Sequence, residues 1–101
     1  MNKVSKGRFY EDIVCKLFLK RGYVLLEKNW FCAFGEIDLI FKTKTGSLVF
    51  IEVRSRKFIE LLQIKNYFPY SKRTHLRRSI DFYLQKTSLP WCLHLVLFEI
   101  S

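Results

Sequence analysis

Nowhere does the 101-residue chain hold an apolar run approaching the roughly 18 residues of a membrane-spanning helix. Its opening residues, Met1-Asn2-Lys3-Val4-Ser5-Lys6-Gly7, lack the apolar core of a secretory signal, which predicts a cytoplasmic protein. Cysteine is scarce: Cys15, Cys32 and Cys92 are odd in number and widely spaced, a pattern of reduced, partly buried thiols rather than a disulfide framework or a zinc knuckle. Acidic residues are few as well, nine against 18 Lys and Arg, leaving a formal charge of +9. An excess of that size on a small chain favours a polyanionic partner, either nucleic acid or an anionic membrane surface. No internal repeat or low-complexity stretch occurs. What is present is a well-filled core composition, 50% hydrophobic and 17% aromatic, which excludes disorder and suits one domain over residues 1–101.

Two β-forming runs, GEIDLIF at 35–41 and LVFIEVRSR at 48–56, each carry an acidic residue. The short polar connection between them predicts a hairpin. Side chains alternate along a strand, so Glu36, Asp38 and Ile40 share one face and Leu48, Phe50, Glu52 and Arg54 share another. A three-residue loop, Lys44-Thr45-Gly46, pairs Thr43 with Ser47 and sets Asp38 across from Glu52, with Gly46 at the left-handed position of the turn. Two carboxylates on one sheet face raise each other's pKa, and a divalent cation relieves them. The hairpin alone serves equally well as a salt-bridged surface patch of Asp38, Glu52 and Arg54.

Residues 5–21 predict an amphipathic helix. Phe9, Ile13 and Leu17 form one apolar row and Tyr10, Val14 and Phe18 the next, opposite a charged stripe of Asp12, Lys16 and Lys20, with Gly22 as the stop. Glu11 falls at the edge of the apolar face, where its carboxylate can look across the helix–sheet boundary. A short strand begins at Tyr23. Ser71 is the expected N-cap of a second helix over 72–86, with Leu76, Ile80, Tyr83 and Leu84 inward and Lys72, Arg73, Arg77, Arg78 and Lys86 toward solvent, a basic surface suited to phosphates. His75 and His94 read as a surface residue on that helix and a core or edge residue. Residues 93–98 read as a buried strand, and 57–70 as a short helix or a loop over the site. The expected fold is α/β, in the order α-β-β-β-α-β. Its small mixed β-sheet is flanked by helices, because the second helix is a crossover that permits a parallel last strand.

In this order, Gly7-x-x-x-Glu11, Gly35-Glu36-Ile37-Asp38-Leu39-Ile40, Val49-Phe50-Ile51-Glu52-Val53-Arg54-Ser55-Arg56 and Lys72 resemble the bacterial YraN-like family. That family looks like a minimal member of the PD-(D/E)XK, restriction endonuclease-like nucleases and is similar in fold to Holliday-junction resolvases. The resemblance implies a Mg²⁺- or Mn²⁺-dependent endonuclease acting on DNA more than RNA, branched or junction DNA included, with no membrane partner. It implies that Asp38 and Glu52 ligate the metal, that Glu11 supports it directly or through water, that Arg54 takes the superfamily's lysine position and that Lys72 holds substrate phosphate. Arg56, Arg73, Arg77 and Arg78 extend the nucleic-acid surface. By analogy with resolvases it also implies a homodimer.

Arginine at position 54 cannot act as a general base, which leaves water activation to the metal or to Glu52. That departure supports an alternative, a nucleic-acid-binding module that keeps the fold without turnover. Exposure of Phe58, Ile59, Leu61, Tyr67 and Phe68 would support another, a protein-interaction subunit.

Overall fold

A computed structural model describes residues 3–101, with side chains from Gly7 onward. Met1 and Asn2, part of the segment read as lacking a signal core, lie outside the described residues. The chain runs α1 (Lys3–Lys20), β1 (Val24–Cys32), β2 (Gly35–Lys42), β3 (Leu48–Lys57), the single turn α2 (Phe58–Leu61), a 3-10 turn (Ile64–Asn66), α3 (Tyr70–Leu84) and β4 (Trp91–Ile100). The sheet order is β1-β2-β3-β4, antiparallel except for the parallel β3–β4 pair that the α3 crossover makes. This is the expected α/β architecture, a small mixed sheet between helices, with α2 added.

Each face of the sheet buries its own apolar cluster. On one side Val14 and Cys15 of α1 close over Leu39, Phe41, Val49, Ile51 and Val53. On the other, Leu76 and Ile80 of α3 cover Ile37, Ile40, Leu48 and Phe50. Ile37 therefore packs with Ile40, not with Leu39 as strict alternation requires. The alternation slips beside Asp38, where β1 is unpaired at Asn29 and the backbone there is left-handed (φ 52°).

The β2–β3 hairpin has the expected register. Leu39 faces Ile51 and Lys42 faces Leu48. The Thr43 amide donates to the Ser47 carbonyl at 2.8 Å, and Gly46 sits at φ +92°. Four expectations need correcting. Helix α3 starts at Tyr70 with Pro69 as its N-cap, because proline's fixed φ suits the entry, and Ser71 lies inside the helix. The row Phe9, Ile13 and Leu17 is 40–50% exposed, since only the Tyr10, Val14 and Phe18 row reaches the narrow sheet. Strand β4 is an edge strand with Leu93 and Leu97 partly in solvent, rather than a buried one. Of the cysteines, Cys15 is buried and Cys32 half-buried, whereas Cys92 on that edge is exposed.

The left-handed turn makes a direct stability prediction. Gly46→Ala places a Cβ at φ +92° with no atom within 4 Å, so the cost is backbone strain alone. About 1–2 kcal/mol is expected, or a Tm lower by about 4–8 °C per kcal/mol. Gly46→Asn should lose less, because asparagine tolerates that region, and thermal melts of the two variants check the ordering.

Candidate functional site

Strand β2 parts from β3 immediately after the Leu39–Ile51 pair, while β3 continues alongside β4 as far as Lys57–Ile100. Asp38 and Glu52 are the next residues on the two strands and stand at this fork. Both are buried, at 7% and 6% exposure, which for two carboxylates demands compensation. Asp38 Oδ2 accepts the Val53 backbone N–H at 2.8 Å, satisfying a donor that the parting of the strands leaves without a ladder partner. Glu52 Oε2 accepts from Arg54 Nη2 at 3.0 Å, and Arg54 Nη1 donates to the Val53 carbonyl at 3.2 Å.

The Asp38 carboxyl is pushed up to about 8. Burial is the main cause, followed by the hydrogen bond and charge of Glu52, against the lowering effect of the Val53 amide and Arg54. Burial and the neighbouring Glu52 thus favour the protonated form of Asp38 at neutral pH.

Glu11 lines the same cleft from α1 and is half-buried. Burial pushes its carboxyl up first, with the Asp38 and Glu36 charges adding to this and a hydrogen bond from Asn29 opposing it. Asn29 is the residue that sequence reasoning missed. Its Nδ2 donates to Glu11 Oε1 at 2.6 Å and to Glu36 Oε1 at 2.8 Å, and its Oδ1 accepts from Arg8 Nη1 at 3.0 Å. One amide thereby fixes α1, β1 and β2 around the cleft. The available signal was an asparagine inside a strand-forming run, the type that tolerates φ > 0.

Helix α3 supplies the far wall through Lys72, His75, Leu76 and Ser79. His75 is exposed, as expected of a surface residue, but it faces the cleft, three residues after Lys72 on the same side of the helix. On the near side the cleft continues past Glu11, Arg54 and Lys72 to Ser55 and Arg56. The other expected phosphate contacts divide. Arg78 lines a neighbouring hollow beside Phe34. Arg77 is held by Asp81 at 3.1 Å and lies over the Trp91 ring, and Arg73 lies over Tyr70. Arg73, Arg77 and Arg78 together line a further hollow with Tyr70 and Thr74, separate from the carboxylate cleft.

The donor set suits a hard divalent cation in one respect and not in another. Among the described residues, no three His, Cys, Asp or Glu side chains stand close enough together to hold a metal between them, so Glu11 is not placed as a direct third ligand. Two buried carboxylates side by side do fit Mg²⁺ or Mn²⁺. Such ions commonly take one or two protein carboxylates, complete their shell with water and substrate phosphate, and displace the proton.

A forked mixed sheet with an acidic pair in its fork and a basic helix wall defines an α/β domain with a carboxylate-centred cleft. Residues 10–100 match the family described as "Uncharacterised protein family UPF0102", and the chain belongs to that family, the YraN family. A UPF0102 protein of Neisseria meningitidis serogroup B is 38% identical over 100 residues, covering 96% of this chain and 86% of the relative. One from Caldicellulosiruptor saccharolyticus is 29% identical over 94 residues, covering 93% and 79%. Among solved structures, a chain of "Structure of EndoMS-dsDNA2 complex" aligns with 73% of this chain and 37% of its own at 16% identity. Its TM-score of 0.32 carries no argument. No helix among the described residues is long and apolar enough to cross a membrane.

Asp38 sets the pH dependence of stability. An unfolded aspartate titrates near 3.8 and the folded one near 8, so between those values the unfolded chain binds fewer protons and stability falls as pH rises. Asp38→Asn keeps an acceptor for Val53 and carries no charge. In EDTA it should match the wild type near pH 4 and exceed it at pH 8 by at least about 1 kcal/mol, or about 4–8 °C in Tm. Identical melting differences at both pH values would refute the assignment. Asn29→Asp replaces a donor with a charge between Glu11 and Glu36, so its destabilisation should grow from pH 4 to pH 7, whereas that of Asn29→Gly should stay level.

Proposed function

We propose that this protein is a metal-dependent endonuclease hydrolysing phosphodiester bonds in DNA. The observation that carries this reading is the buried Asp38–Glu52 pair, set in an open cleft whose other walls hold Arg54 and Lys72. A pure phosphate binder gains nothing from acidic groups that repel its ligand.

In this reading Asp38 and Glu52 hold Mg²⁺ or Mn²⁺, which when bound polarises a phosphoryl group and lowers the pKa of an attacking water. Glu11, held by Asn29, accepts hydrogen bonds from water on the α1 side of the cleft. Arg54 carries a permanent positive charge next to the place where charge grows on the phosphate, and its unused N–H groups can grip phosphate oxygens. It takes no proton from water, so Glu52 is the nearest protein group able to do so. Lys72 and Arg56 flank the carboxylates along the cleft and position neighbouring phosphates by charge. Branched or junction DNA fits the same contacts.

Phe58 and Ile59 are 60% and 68% exposed, Leu61 and Tyr67 half-buried and Phe68 buried. Leu62, Ile64 and Tyr70 are exposed as well, so the 57–70 segment does present apolar surface, though not through all the residues expected of an interaction subunit.

The test is cleavage of a labelled panel of duplex, single strand, flap, four-way junction and structured RNA with Mg²⁺, Mn²⁺ or EDTA. Metal-dependent cutting of DNA should fall at least about 100-fold in both Asp38→Asn and Glu52→Gln, the size of effect that loss of a metal's charge stabilisation gives. In parallel, Mn²⁺ should raise the Tm of the wild type at pH 8 and leave Asp38→Asn unmoved. Salt-sensitive binding without cutting, indifferent to both substitutions and to metal, would leave the binding-module reading.

A further inference from the structure

The turn joining β1 to β2 is Ala33-Phe34, a place where glycine, asparagine and aspartate are usual. It carries instead a phenylalanine that is 41% exposed, two residues after Cys32 and close to Phe31, which is 75% exposed. Phe34 is a wall of two spaces at once. It lines the carboxylate cleft, and it lines an adjoining hollow of about 450 Å³ formed with Arg78, Asp81, Phe82 and Gln85 of the α3 end.

This wall is braced. Phe34 meets Phe82 edge to face with ring centroids 6.1 Å apart, and Phe82 in turn lies 6.1 Å from Trp30. On the other side of the turn Cys32 Sγ donates to Ser79 Oγ at 3.5 Å, and Gly35 lies beside the same hydroxyl, which a Cβ there would meet in ordinary contact at 3.7 Å. The aromatic surface is therefore pinned to α3 at both flanks.

The polar groups of the hollow are unequal. The Asp81 carboxylate is taken by Arg77, at 3.1 and 3.3 Å. Arg78 makes no ion pair or side-chain hydrogen bond among the described residues, and the Gln85 amide is exposed. A fixed aromatic face, a free guanidinium and a free amide match a nucleobase, which stacks on rings and guanidinium planes and bonds through its edge. An apolar peptide side chain would leave the cation and the amide without use. The charge complement is continuous, because the cleft sharing Phe34 holds Arg54 and Lys72 for the backbone attached to such a base.

We infer that the Phe34 hollow takes an unpaired nucleobase, so that the preferred substrate class is DNA carrying a base outside the duplex stack. This rests on the proposed DNA-cleaving function for the path of the backbone through the cleft.

The experiment compares two fluorescein-labelled duplexes of one sequence, fully paired or with a single extrahelical adenine, by anisotropy in EDTA at physiological salt. The wild type should bind the bulged duplex about tenfold more tightly, within the range for one base stacked on an aromatic ring. Phe34→Ala and Phe34→Leu should bring the ratio of the two affinities to within about twofold, and Phe34→Trp should keep it. Far-UV circular dichroism of each variant confirms the fold. A wild-type ratio near one, a ratio that survives both Phe34→Ala and Phe34→Leu, or failure to bind either duplex overturns the inference. Cleavage of the same duplexes in Mn²⁺, with Asp38→Asn as control, separates the two readings. Base preference without cutting sinks hydrolysis and keeps the base site, whereas cutting both duplexes equally with no binding preference does the reverse.

Discussion

The working end of the molecule depends on two carboxylates buried where two strands part. A strand that leaves its neighbour exposes a row of backbone donors and acceptors, and such an edge is costly inside a protein. Here the opening is held by the side chains it exposes. Asp38 reaches across to the Val53 N–H, Glu52 is met by Arg54, and β4 keeps the far edge of β3 paired through Lys57. The pairing of one acid with a backbone amide and the other with a guanidinium gives each buried carboxyl a polar partner. The fork and the acidic pair thus support each other, since the parting frees the Val53 amide and removing Asp38 would leave it unpaired.

A second layer of constraint comes from Asn29. Its left-handed backbone interrupts β1 opposite Asp38, and its side chain uses the space to bond Glu11, Glu36 and Arg8. Lys28, the preceding residue, pairs with Asp12 on the outer side of α1. Two adjacent residues of one strand therefore tie α1 down from opposite sides. That is why a helix whose apolar row Phe9, Ile13 and Leu17 stays in solvent still holds Glu11 in a defined place.

Much of this was legible in the residues. The parity of a three-residue loop ending in Gly46 was enough to bring Asp38 opposite Glu52, because alternation leaves only two answers and the turn chemistry chooses one. The same alternation failed for Ile37, which lies next to the unpaired, left-handed Asn29 of another strand, and local patterning carries no information about a neighbour's backbone. Helical periodicity identified both apolar rows of α1 but not how wide a surface would cover them; four strands with β4 at the edge cover one row. Nor did it reveal that Arg73, Arg77 and Arg78 share a hollow apart from the one that Lys72 lines, with Arg77 held there by Asp81 and Trp91. His75 could have been found, since with Leu76 and Ile80 inward a residue one turn from Lys72 and one from Ser79 shares their side.

Arginine at position 54 is better understood from the fork than from a comparison with lysine. A lysine there would offer one ammonium, which in a half-buried place readily loses its proton and could serve as a base. The guanidinium instead spreads its donors over a plane. One N–H group neutralises Glu52, a second bonds the Val53 carbonyl on the strand it belongs to, and the rest stay directed to the cleft. It thereby fixes Glu52 against the strand at every pH the protein meets, which an ammonium on a flexible stem would do poorly. Under the proposed function the cost is that water activation falls to the metal or to Glu52, which Arg54 holds in a salt bridge. Under the same proposed function the site favours firm positioning of phosphate and cation over a strong protein base, and its rate would be governed by how far the bound cation, rather than any side chain, acidifies the water.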